Sequence, residues 1–559
     1  MIAKPRIWPY AAGFALAAIT WTVLVMVRHH GYWESTGQEM PNMGSSIRNG
    51  VLAVFVLAIL VYGLMWLRHS VSAPAVAPVS AQARQKDPVV SGFNGSPALL
   101  LQTGQKYVLE VRAMGVVVGE LADEEIWGAI EKKADNHMSY MSTNPDDYPD
   151  SDDLRMSDLG VSTQLAFKEG ARRAVECWPV PVIIWGPPKD MKSDARAAAD
   201  IAGFRQAAGL GVTLFLWQDD ANTDDGTAML EKLFAFFDAH PDVPEALVFS
   251  ADGSATRSLL RAPGSGGAPQ AGHIIPALPD SIGAILVSRS DRVDKLIRPF
   301  AVEQTDNINK NTTDYDIIKL WNFFWDTTND EGPGGFDAQF KKKEKESGVK
   351  YPSSPGVITS DWWQSKLPEF WKTINNKGPG QFTPTPYIPV RWTTWQLKQF
   401  DDAPLLGYLH RPVDVKLTDD QGQPLKMNEQ AAALKAGWEQ ALATLPDGHE
   451  PKRVFYDTTG DRQWVIPLNH ALAQVGTSAP SISEIKEGYD IGARIGNTGV
   501  SSPLVQIGLG LIASYHEGGA SATVNHRPDG SASIIMVSPP GDAVKAAWAQ
   551  KANGVSPFK

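Results

Sequence analysis

Two long uncharged apolar stretches near the N-terminus place the strongest constraint on how this chain can fold. The first, IWPYAAGFALAAITWTVLVMV, covers residues 7–27, and the second covers residues 51–67. A helix rises ~1.5 Å per residue, so a bilayer core of ~30 Å needs about 20 residues, with about 17 as the lower limit. Both stretches meet that length, and each is long for a buried helix of a soluble domain. We therefore predict a two-helix transmembrane hairpin over residues 1–70.

Basic residues around the two stretches predict the orientation of the hairpin, because Lys and Arg are enriched on the cytoplasmic side. The outer flanks carry Lys4, Arg6, Arg68, Arg84 and Lys86, whereas the intervening loop carries only Arg28 and Arg48. We therefore expect both ends of the hairpin, and the main domain, in the cytoplasm. A cleaved signal peptide is an alternative, since SAQAR at residues 80–84 resembles a cleavage site.

The composition of the whole chain is that of a globular protein. Its 559 residues are 43% hydrophobic and 20% charged, which leaves room for two to four domains of about 100–200 residues. The formal net charge of −11 argues against nucleic acid as the main partner. Cys177 is the single cysteine, so an intramolecular disulfide and a cysteine-rich metal site are excluded. We expect neither a metal nor a cofactor.

Apolar β-branched runs alternate with helical patterns after an Ala/Pro-rich tether over residues 71–100. Runs typical of strands occur at 107–119, 180–186, 211–217, 245–253 and 283–288. Continuous apolar strands separated by helices predict an α/β fold with a sheet that is covered on both faces.

Two pairs of similar segments, in the same order along the chain, predict an internal duplication. Residues 230–254 and 436–461 each read as a helix, a Pro-Asp turn, a strand and a small polar loop. Residues 281–300 and 531–548 each read as a strand ending in Val-Ser, a polar turn and a helix. We therefore expect two related layers of sheet and helix.

A tryptophan-rich insertion over residues 301–380 separates the first α/β half, 101–300, from the second, 381–559. The candidate partner-binding aromatics in it are Trp321, Trp325, Trp362, Trp363 and Trp371. Large rigid aromatics are enriched at protein–protein hot spots, which favours a binding role. The alternative is that they fill the core of a helical insertion, which is the more common fate of tryptophan.

The chain contains no complete catalytic motif: a nucleophile elbow, a Walker loop and an H-E-x-x-H helix are all missing. GLGLIA at 508–513 has the glycines of a dinucleotide site but no preceding strand, so it predicts a packed helix. The acidic loop DDANTDDG at 219–226 lacks EF-hand spacing and is expected to be solvated. His516 and Glu517 are expected to cap a helix or lie at the surface, and Cys177 to be an inert core residue.

Two small polar loops in the C-terminal part, YDTTGD at 456–461 and GNT at 496–498, lead to a closer comparison. Together with the helix and strands after them, they resemble the second half of thiolase-like folds, ketoacyl synthases in particular. Those enzymes carry a histidine in each loop, where this chain has Tyr456 or Asp457 and Asn497. Thiolase-type condensation needs a thiolate beside basic imidazoles. The resemblance therefore implies a scaffold without catalytic residues, with a vestigial cleft at Cys177, Asp457 and Asn497.

The order of hairpin, tether and Trp-rich duplicated α/β domain is similar to that of the type VI lipase adapter proteins of Gram-negative bacteria, from the opening YVLEVRAMGVVVGELADEEIW onwards. The resemblance implies a non-catalytic adapter at the bacterial inner membrane, with its main domain in the cytoplasm. Such a protein binds a toxic phospholipase effector and helps load it onto the type VI secretion spike. The implied partners are a lipase effector, the spike protein and the inner membrane, and no nucleic acid.

Two other functions remain as alternatives at this point. One is a thiolase-like enzyme that acts on acyl or lipid substrates at the inner membrane, with Cys177 as its nucleophile. The other is a structural inner-membrane component of an envelope machine.

Overall fold

A computed structural model describes residues 107–133, 138–188, 201, 203–210, 213–260, 272–304, 315–329, 357–446 and 449–558. The predicted transmembrane hairpin over residues 1–70 and the tether over residues 71–100 lie outside the described residues. Among the helices that are described, none combines the length and the apolar character that a membrane span requires.

The described residues form strands and helices in alternation, as the α/β prediction requires. The strands are β1 Leu109–Val118, β2 Leu121–Ala122, β3 Pro179–Gly186, β4 Leu214–Asn222, β5 Glu245–Asp252, β6 Ser281–Ser288, β7 Val357–Thr359, β8 Gly407–Leu409, β9 Val413–Lys416, β10 Pro451–Tyr456, β11 Gly488–Asp490, β12 Ala520–His526 and β13 Ser531–Ser538. The helices of six or more residues are α1 Asp123–Lys132, α2 Asp152–Ala171, α3 Ala228–Ala239, α4 Ser254–Leu259, α5 Asp316–Asn329, α6 Ser360–Phe370, α7 Thr394–Asp402, α8 Met427–Leu442, α9 Val465–Val475, α10 Ser502–Glu517 and α11 Asp542–Lys551.

The strands join into one large mixed sheet with the order β11-β10-β12-β13-β8-β1-β6-β5-β3-β4-β7. The short strands β2 and β9 pair with β1 and β13 outside this path. The fold is therefore mixed α/β with a large sheet, which confirms the predicted class at this level.

The strand order repeats across the middle of the sheet. One half reads β1-β6-β5-β3-β4 and the other β8-β13-β12-β10-β11. In both halves the first two pairs of neighbouring strands are antiparallel and the last two are parallel. β1 and β8 pair antiparallel at the junction, so the sheet is continuous from one half to the other.

This order supports one of the two predicted segment pairs and corrects the other. β6 and β13 occupy the same place in their halves, as the similarity of 281–300 to 531–548 predicted. The other pair matched β5 with β10, which is wrong, because β5 is third in its half and β10 is fourth in its own. A helix, a Pro-Asp turn and a strand recur often in α/β folds. Sequence similarity therefore did not identify the strand that is equivalent to β5, which is β12.

Helix α10 lies in the centre of the fold, and every residue from Ser502 to Ser514 is buried. Its buried residues are apolar or small apart from Gln506, whose amide donates hydrogen bonds to Ser502 and Asn525. A Cβ atom added at Gly508 would lie 2.6 Å from Val116 of the first half, and one at Gly510 would lie 3.0 Å from Val537 of the second. The glycines of GLGLIA thus let both halves approach the helix closely, as expected for a packed helix.

Candidate functional site

A cleft of about 510 Å³ is lined by loops and helix starts from both halves of the fold. We call it the inter-half cleft. It lies beyond the carboxyl ends of the parallel strands β4, β10 and β12, the position at which open α/β sheets commonly bind ligands. Its lining includes Asp224, Arg257, Asp461, Trp464, Asn497 and Asn525.

The N-terminus of α3 lies at the cleft, and the carboxylate of Asp225 binds there. Asp225 Oδ1 accepts hydrogen bonds from the main-chain nitrogen of Thr227 at 3.0 Å and from its hydroxyl at 2.7 Å. A carboxylate is stabilised at this end of a helix by the unpaired N–H groups and the helix dipole. The hydroxyl of Thr227 is therefore committed to Asp225.

Asp225 also binds Arg527, which comes from the loop after β12 in the other half. Arg527 donates to Asp225 Oδ2 from Nε at 2.9 Å and from Nη2 at 2.6 Å. The same guanidinium reaches Glu231 at 2.6 Å and Asp414 at 3.1 Å, and its side chain is only 10% exposed. One arginine thus joins residues of both halves beside the cleft.

The N-terminus of α10 has a similar arrangement, built by the loop after β10. Ser502 Oγ donates to Asp457 Oδ2 at 2.6 Å, and Asp457 Oδ1 accepts from the nitrogen and the hydroxyl of Thr459 at 2.8 and 2.6 Å. Asn497 shapes the preceding turn, since its Oδ1 accepts from the nitrogen of Gly499 at 2.9 Å. Asp457 and Asn497, two of the three residues predicted for the vestigial cleft, both line the inter-half cleft.

Cys177 does not line this cleft, which corrects its assignment to the same site. It directly precedes the parallel strand β3, and so lies at the amino end of the strands, whereas the cleft lies at the carboxyl end. Its side chain is 2% exposed within the main apolar core, and burial raises the pKa of its thiol to about 12. The expectation of an inert core cysteine fits this environment.

Among its described residues, the cleft brings no hydroxyl or thiol together with a histidine base of the kind that thiolase-type chemistry needs. The hydroxyls of Thr227 and Ser502 donate to carboxylates. His526 stacks on Trp464 with ring centroids 5.8 Å apart, and its ring makes no hydrogen bond to a hydroxyl or thiol of the described residues. Acyl transfer needs a nucleophile within hydrogen-bond reach of its base.

Sequence reasoning missed Arg527 and Asn525 as cleft residues, and it missed the helix cap at Asp225. Asp225 stands three residues before Ala228, the first residue of α3. Acidic residues are common at helix starts, so the sequence did contain an indication of this role. Arg527 carried no such signal, because its partner Asp225 lies 302 residues away in the sequence.

The five candidate tryptophans pack along α5 and α6, or directly after α6. Trp363 is fully buried and Trp371 is half-buried, and their ring nitrogens donate to the carbonyls of Pro386 and Pro389 at 3.0 Å. Trp363 therefore fills the core, as the alternative interpretation held. The remaining three are half-buried, and a partner-binding role for them stays a prediction: Trp321, Trp325 and Trp362.

An exposed apolar surface lies instead on α2. Leu154, Val161 and Leu165 are 51%, 62% and 39% exposed, and their spacing of seven and four residues places them on one face of the helix. We call these three residues the α2 stripe. A mostly apolar groove of about 400 Å³ runs beside it and includes Leu159 and Ser162 of the same helix. Exposed apolar side chains that are grouped on one helix face favour an interaction site.

Comparison with known families gives two matches that together cover more than half of the chain. The model described as type VI lipase adapter protein Tla3, N-terminal, matches residues 107–271. The corresponding C-terminal model matches residues 406–539.

Solved structures with similar chains include several condensing enzymes. The 3-oxoacyl-(acyl carrier protein) synthase III FabH from Pseudomonas aeruginosa PAO1 is 11% identical, with 78% of this chain and 99% of that chain covered and a TM-score of 0.32. The peroxisomal 3-ketoacyl-CoA thiolase of Saccharomyces cerevisiae is 8% identical, with 79% and 100% covered and a TM-score of 0.37. No residue role follows from these similarities.

Proposed function

The chain belongs to the type VI lipase adapter protein family, and from this premise we propose that it is a non-catalytic adapter. It binds a lipase effector in the cytoplasm of the producing cell and helps load that effector onto the spike of the type VI secretion system. Adapter function requires a surface that recognises the effector and requires no chemistry of its own.

The non-catalytic part of this proposal is supported by the hydrogen bonds and the burial of the hydroxyl and thiol groups in and around the inter-half cleft. The hydroxyls at the starts of α3 and α10, on Thr227 and Ser502, donate to Asp225 and Asp457. Thr227 and Ser502 are also buried, with 2% and 5% of their surface exposed, whereas a catalytic hydroxyl must face its substrate. The thiol of Cys177 is buried at the other end of the strands, away from the cleft.

Membrane tethering is the second part of the proposal, and it rests on the sequence. The apolar stretches at 7–27 and 51–67 form a hairpin in the inner membrane, and the basic outer flanks keep the main domain in the cytoplasm. A tether of about 30 residues at 71–100 raises the local concentration of a bound effector near the secretion machine without adding any contact.

The α2 stripe and its neighbouring groove are the surface that we assign to the effector. Interfaces combine a buried apolar centre with a polar rim. The stripe supplies Leu154, Val161 and Leu165, while Arg155 and Asp158 of the same helix line the groove and supply charge at its edge. The occupant is an apolar segment of the lipase effector.

Capture of the effector from cells tests both parts of the binding proposal. The tagged full-length chain, solubilised in mild detergent, is expected to co-purify with the lipase encoded by a neighbouring gene. Val161→Asp and Leu165→Asp are expected to reduce the recovered lipase by about tenfold or more, because each places a charge in the apolar centre of the interface. Ile466→Asp is the matched control, since Ile466 is 44% exposed on α9 in the other half.

The outcomes separate the function from the surface. Recovery of no lipase with the unsubstituted chain would contradict the adapter function. Equal recovery with Val161→Asp, Leu165→Asp and Ile466→Asp would contradict the assignment to the α2 stripe and leave the adapter function standing.

A further inference from the structure

The groove beside the α2 stripe has apolar walls from four segments of the first half. Helix α2 forms one wall, and the short strand β2 contributes Leu121. The loop before α2 contributes Met141, and the loop before β6 contributes Ile274 and Pro276. Ile275, in the same loop, is 44% exposed. The groove volume of about 400 Å³ lies within the range of about 300–1,000 Å³ that is typical of binding sites.

Exposed carboxylates surround this groove, and its cation is already paired. Glu120 comes from the turn between β1 and β2, Asp147 from the loop before α2, and Asp158 from α2 itself. Arg155 is the one cation among the described residues of the lining. It donates to Asp152 Oδ1 from Nε at 3.0 Å and from Nη2 at 2.6 Å. The rim of the groove therefore carries a net negative charge.

Tyr148 lines the groove and is affected by the same negative charge. Burial raises the pKa of its hydroxyl, and the nearby carboxylates of Asp147 and Glu120 raise it further. The hydroxyl donates to the carbonyl of Ser142 at 2.7 Å. Negative charge that disfavours a tyrosinate favours a cation at the same place, because the Coulomb interaction changes sign with the charge.

Asp158 lies on the same face of α2 as the stripe. It stands four residues after Leu154 and three before Val161, a spacing that places all three side chains on one side of a helix. Within the described part of the chain, the carboxylates of Asp158 and Glu120 make no ion pair and no hydrogen bond. A partner that covers the stripe would bury the carboxylate of Asp158, which is strongly unfavourable unless the partner supplies a cation there.

A second copy of the chain does not supply that cation. In a two-fold symmetric contact the same patch meets itself, so the carboxylates of Glu120 and Asp158 would approach those of the other copy. Like charges in an interface oppose association. The stripe and its groove therefore fit a partner of different chemistry, one that combines apolar and basic side chains.

We propose that the α2 stripe and its groove bind a segment of the lipase effector in which lysine or arginine residues flank apolar ones. The apolar side chains of that segment enter the groove, and its basic side chains pair with Asp158 and Glu120. This inference rests on the proposed adapter function for the identity of the partner, and it adds the charge of the bound segment. Charge complementarity of this kind speeds association and selects against acidic partners.

Titration calorimetry with three peptides tests the chemistry, using the full-length chain in mild detergent. The acetylated and amidated peptide Lys-Lys-Leu-Phe-Leu-Lys-Lys is expected to bind at one site. Glu-Glu-Leu-Phe-Leu-Glu-Glu keeps the apolar centre with reversed charge, and Lys-Lys-Ser-Gly-Ser-Lys-Lys keeps the charge without the apolar centre. Each of these two is expected to bind about tenfold more weakly or worse. Absence of saturable binding by the first peptide, or equal binding of either control peptide, would overturn the proposal.

Substitutions locate the binding in the groove. Glu120→Gln combined with Asp158→Asn is expected to weaken binding of the first peptide by about tenfold. Both side chains are exposed, so this double variant is expected to keep the fold. Asp420→Asn combined with Asp542→Asn is the matched control, because it removes the same charge from side chains that are 94% and 100% exposed and lie outside the groove lining. Equal affinity of the two double variants would overturn the site.

Addition of the first peptide during capture of the lipase tests the identity of the partner. Displacement of the lipase supports a segment of the effector as the occupant, whereas undiminished capture with the peptide bound would overturn that identity. Dissociation of a dimer of the chain by the peptide, measured by light scattering, would overturn it in favour of a second copy. Recovery of no lipase even without the peptide would contradict the adapter function alone, since the peptide titrations need no effector.

Discussion

Gly499 packs directly against Asp252, such that a Cβ atom added to the glycine would lie 1.9 Å from the carboxylate oxygen Oδ2. The same oxygen accepts a hydrogen bond from the main-chain nitrogen of Val500 at 2.8 Å. Asp252 ends β5 in one half of the sheet, while Gly499 and Val500 form the turn before α10. This contact therefore fixes the central helix to the first half.

Replacement of Gly499 by alanine is expected to lower the free energy of unfolding by about 2–4 kcal/mol. The φ angle of +56° already disfavours a side chain, and the Cβ atom would displace Asp252 from Val500. Denaturant unfolding followed by circular dichroism measures the change. Gly460→Ala is the matched control, since Gly460 lines the same cleft with no atom within 4 Å of its added Cβ. Equal destabilisation by both variants would contradict the packing argument.

Replacement of Arg527 by methionine is expected to lower the free energy of unfolding by about 1–3 kcal/mol. The change keeps the apolar stem but leaves Asp225 and Glu231 facing each other without their cation. Arg298→Met provides the comparison, because the side chain of Arg298 is 41% exposed in its ion pair with Asp401. Exposed pairs contribute about 1 kcal/mol or less. If Arg527→Met lowers the free energy of unfolding no more than Arg298→Met does, the ion pairs of Arg527 with Asp225 and Glu231 do not behave as buried interactions.

The stability of the domain is expected to depend on pH through Glu245. Burial raises the pKa of this carboxyl to about 7, even though the nitrogen of Val175 and the charge of Arg112 oppose the shift. Between about pH 4.5 and 7 the folded chain keeps a proton that the unfolded chain releases. Each unit rise in pH within this window therefore lowers the free energy of unfolding by up to about 1.4 kcal/mol.

Comparison with Glu245→Gln isolates this contribution, because the amide cannot titrate. His410 acts in the opposite direction, since burial lowers its pKa to about 4 and stability from this group rises up to about pH 6.5. The slope of the unsubstituted chain mixes these effects with those of other buried groups, such as Asp123, whose pKa burial raises to about 8. The difference between the two chains reports Glu245 alone. Urea unfolding at about pH 5, 6 and 7 is expected to give a difference that grows with pH in favour of the glutamine variant. A constant difference would show that Glu245 is ionised throughout.

Cys177 is expected to be unreactive toward a thiol reagent until the domain unfolds. The side chain is 2% exposed and its thiol pKa is raised to about 12, so almost no thiolate is present near neutral pH. Labelling with Ellman's reagent, with and without denaturant, measures the accessibility. Cys177→Ala is expected to leave the biological activity of the protein, export of the lipase effector, unchanged. Loss of that activity in a variant of normal stability would favour the enzyme alternative that was left open from the sequence.

Much of the sheet could be predicted from the sequence, because strands that are buried on both faces are continuous apolar runs. The predicted segments at 107–119, 180–186, 245–253 and 283–288 match β1, β3, β5 and β6 to within a few residues. β4 is longer at its end than the predicted segment 211–217, because its pairing with β3 continues through the acidic residues 219 and 220 as far as Asn222. A hydrophobic pattern does not show where main-chain pairing with a neighbour ends.

The cleft was predictable only where its residues follow strands. Asp457 and Asn497 stand in loops after β10 and β11, and loops at the carboxyl ends of neighbouring parallel strands meet at one edge. Cys177 precedes its strand, so the same rule places it at the opposite edge. Asn525 and Arg527 stand at the carboxyl end of the parallel strand β12, so the same rule applies to them as well. The pairing of Arg527 with Asp225, 302 residues away, has no signal in the local sequence.

The three-residue strand β8 pairs with β1 through Leu409, Tyr408 and Gly407, and its other edge pairs with β13. β8 follows the insertion in the chain, yet it completes the hydrogen bonding of the first strand of the other half. A fragment ending near residue 300 would leave the main chain of Leu109, Glu110 and Val111 as an unprotected apolar edge, which is a template for aggregation. Expression of either half by itself should therefore give insoluble material, and truncation studies of this protein require both halves together.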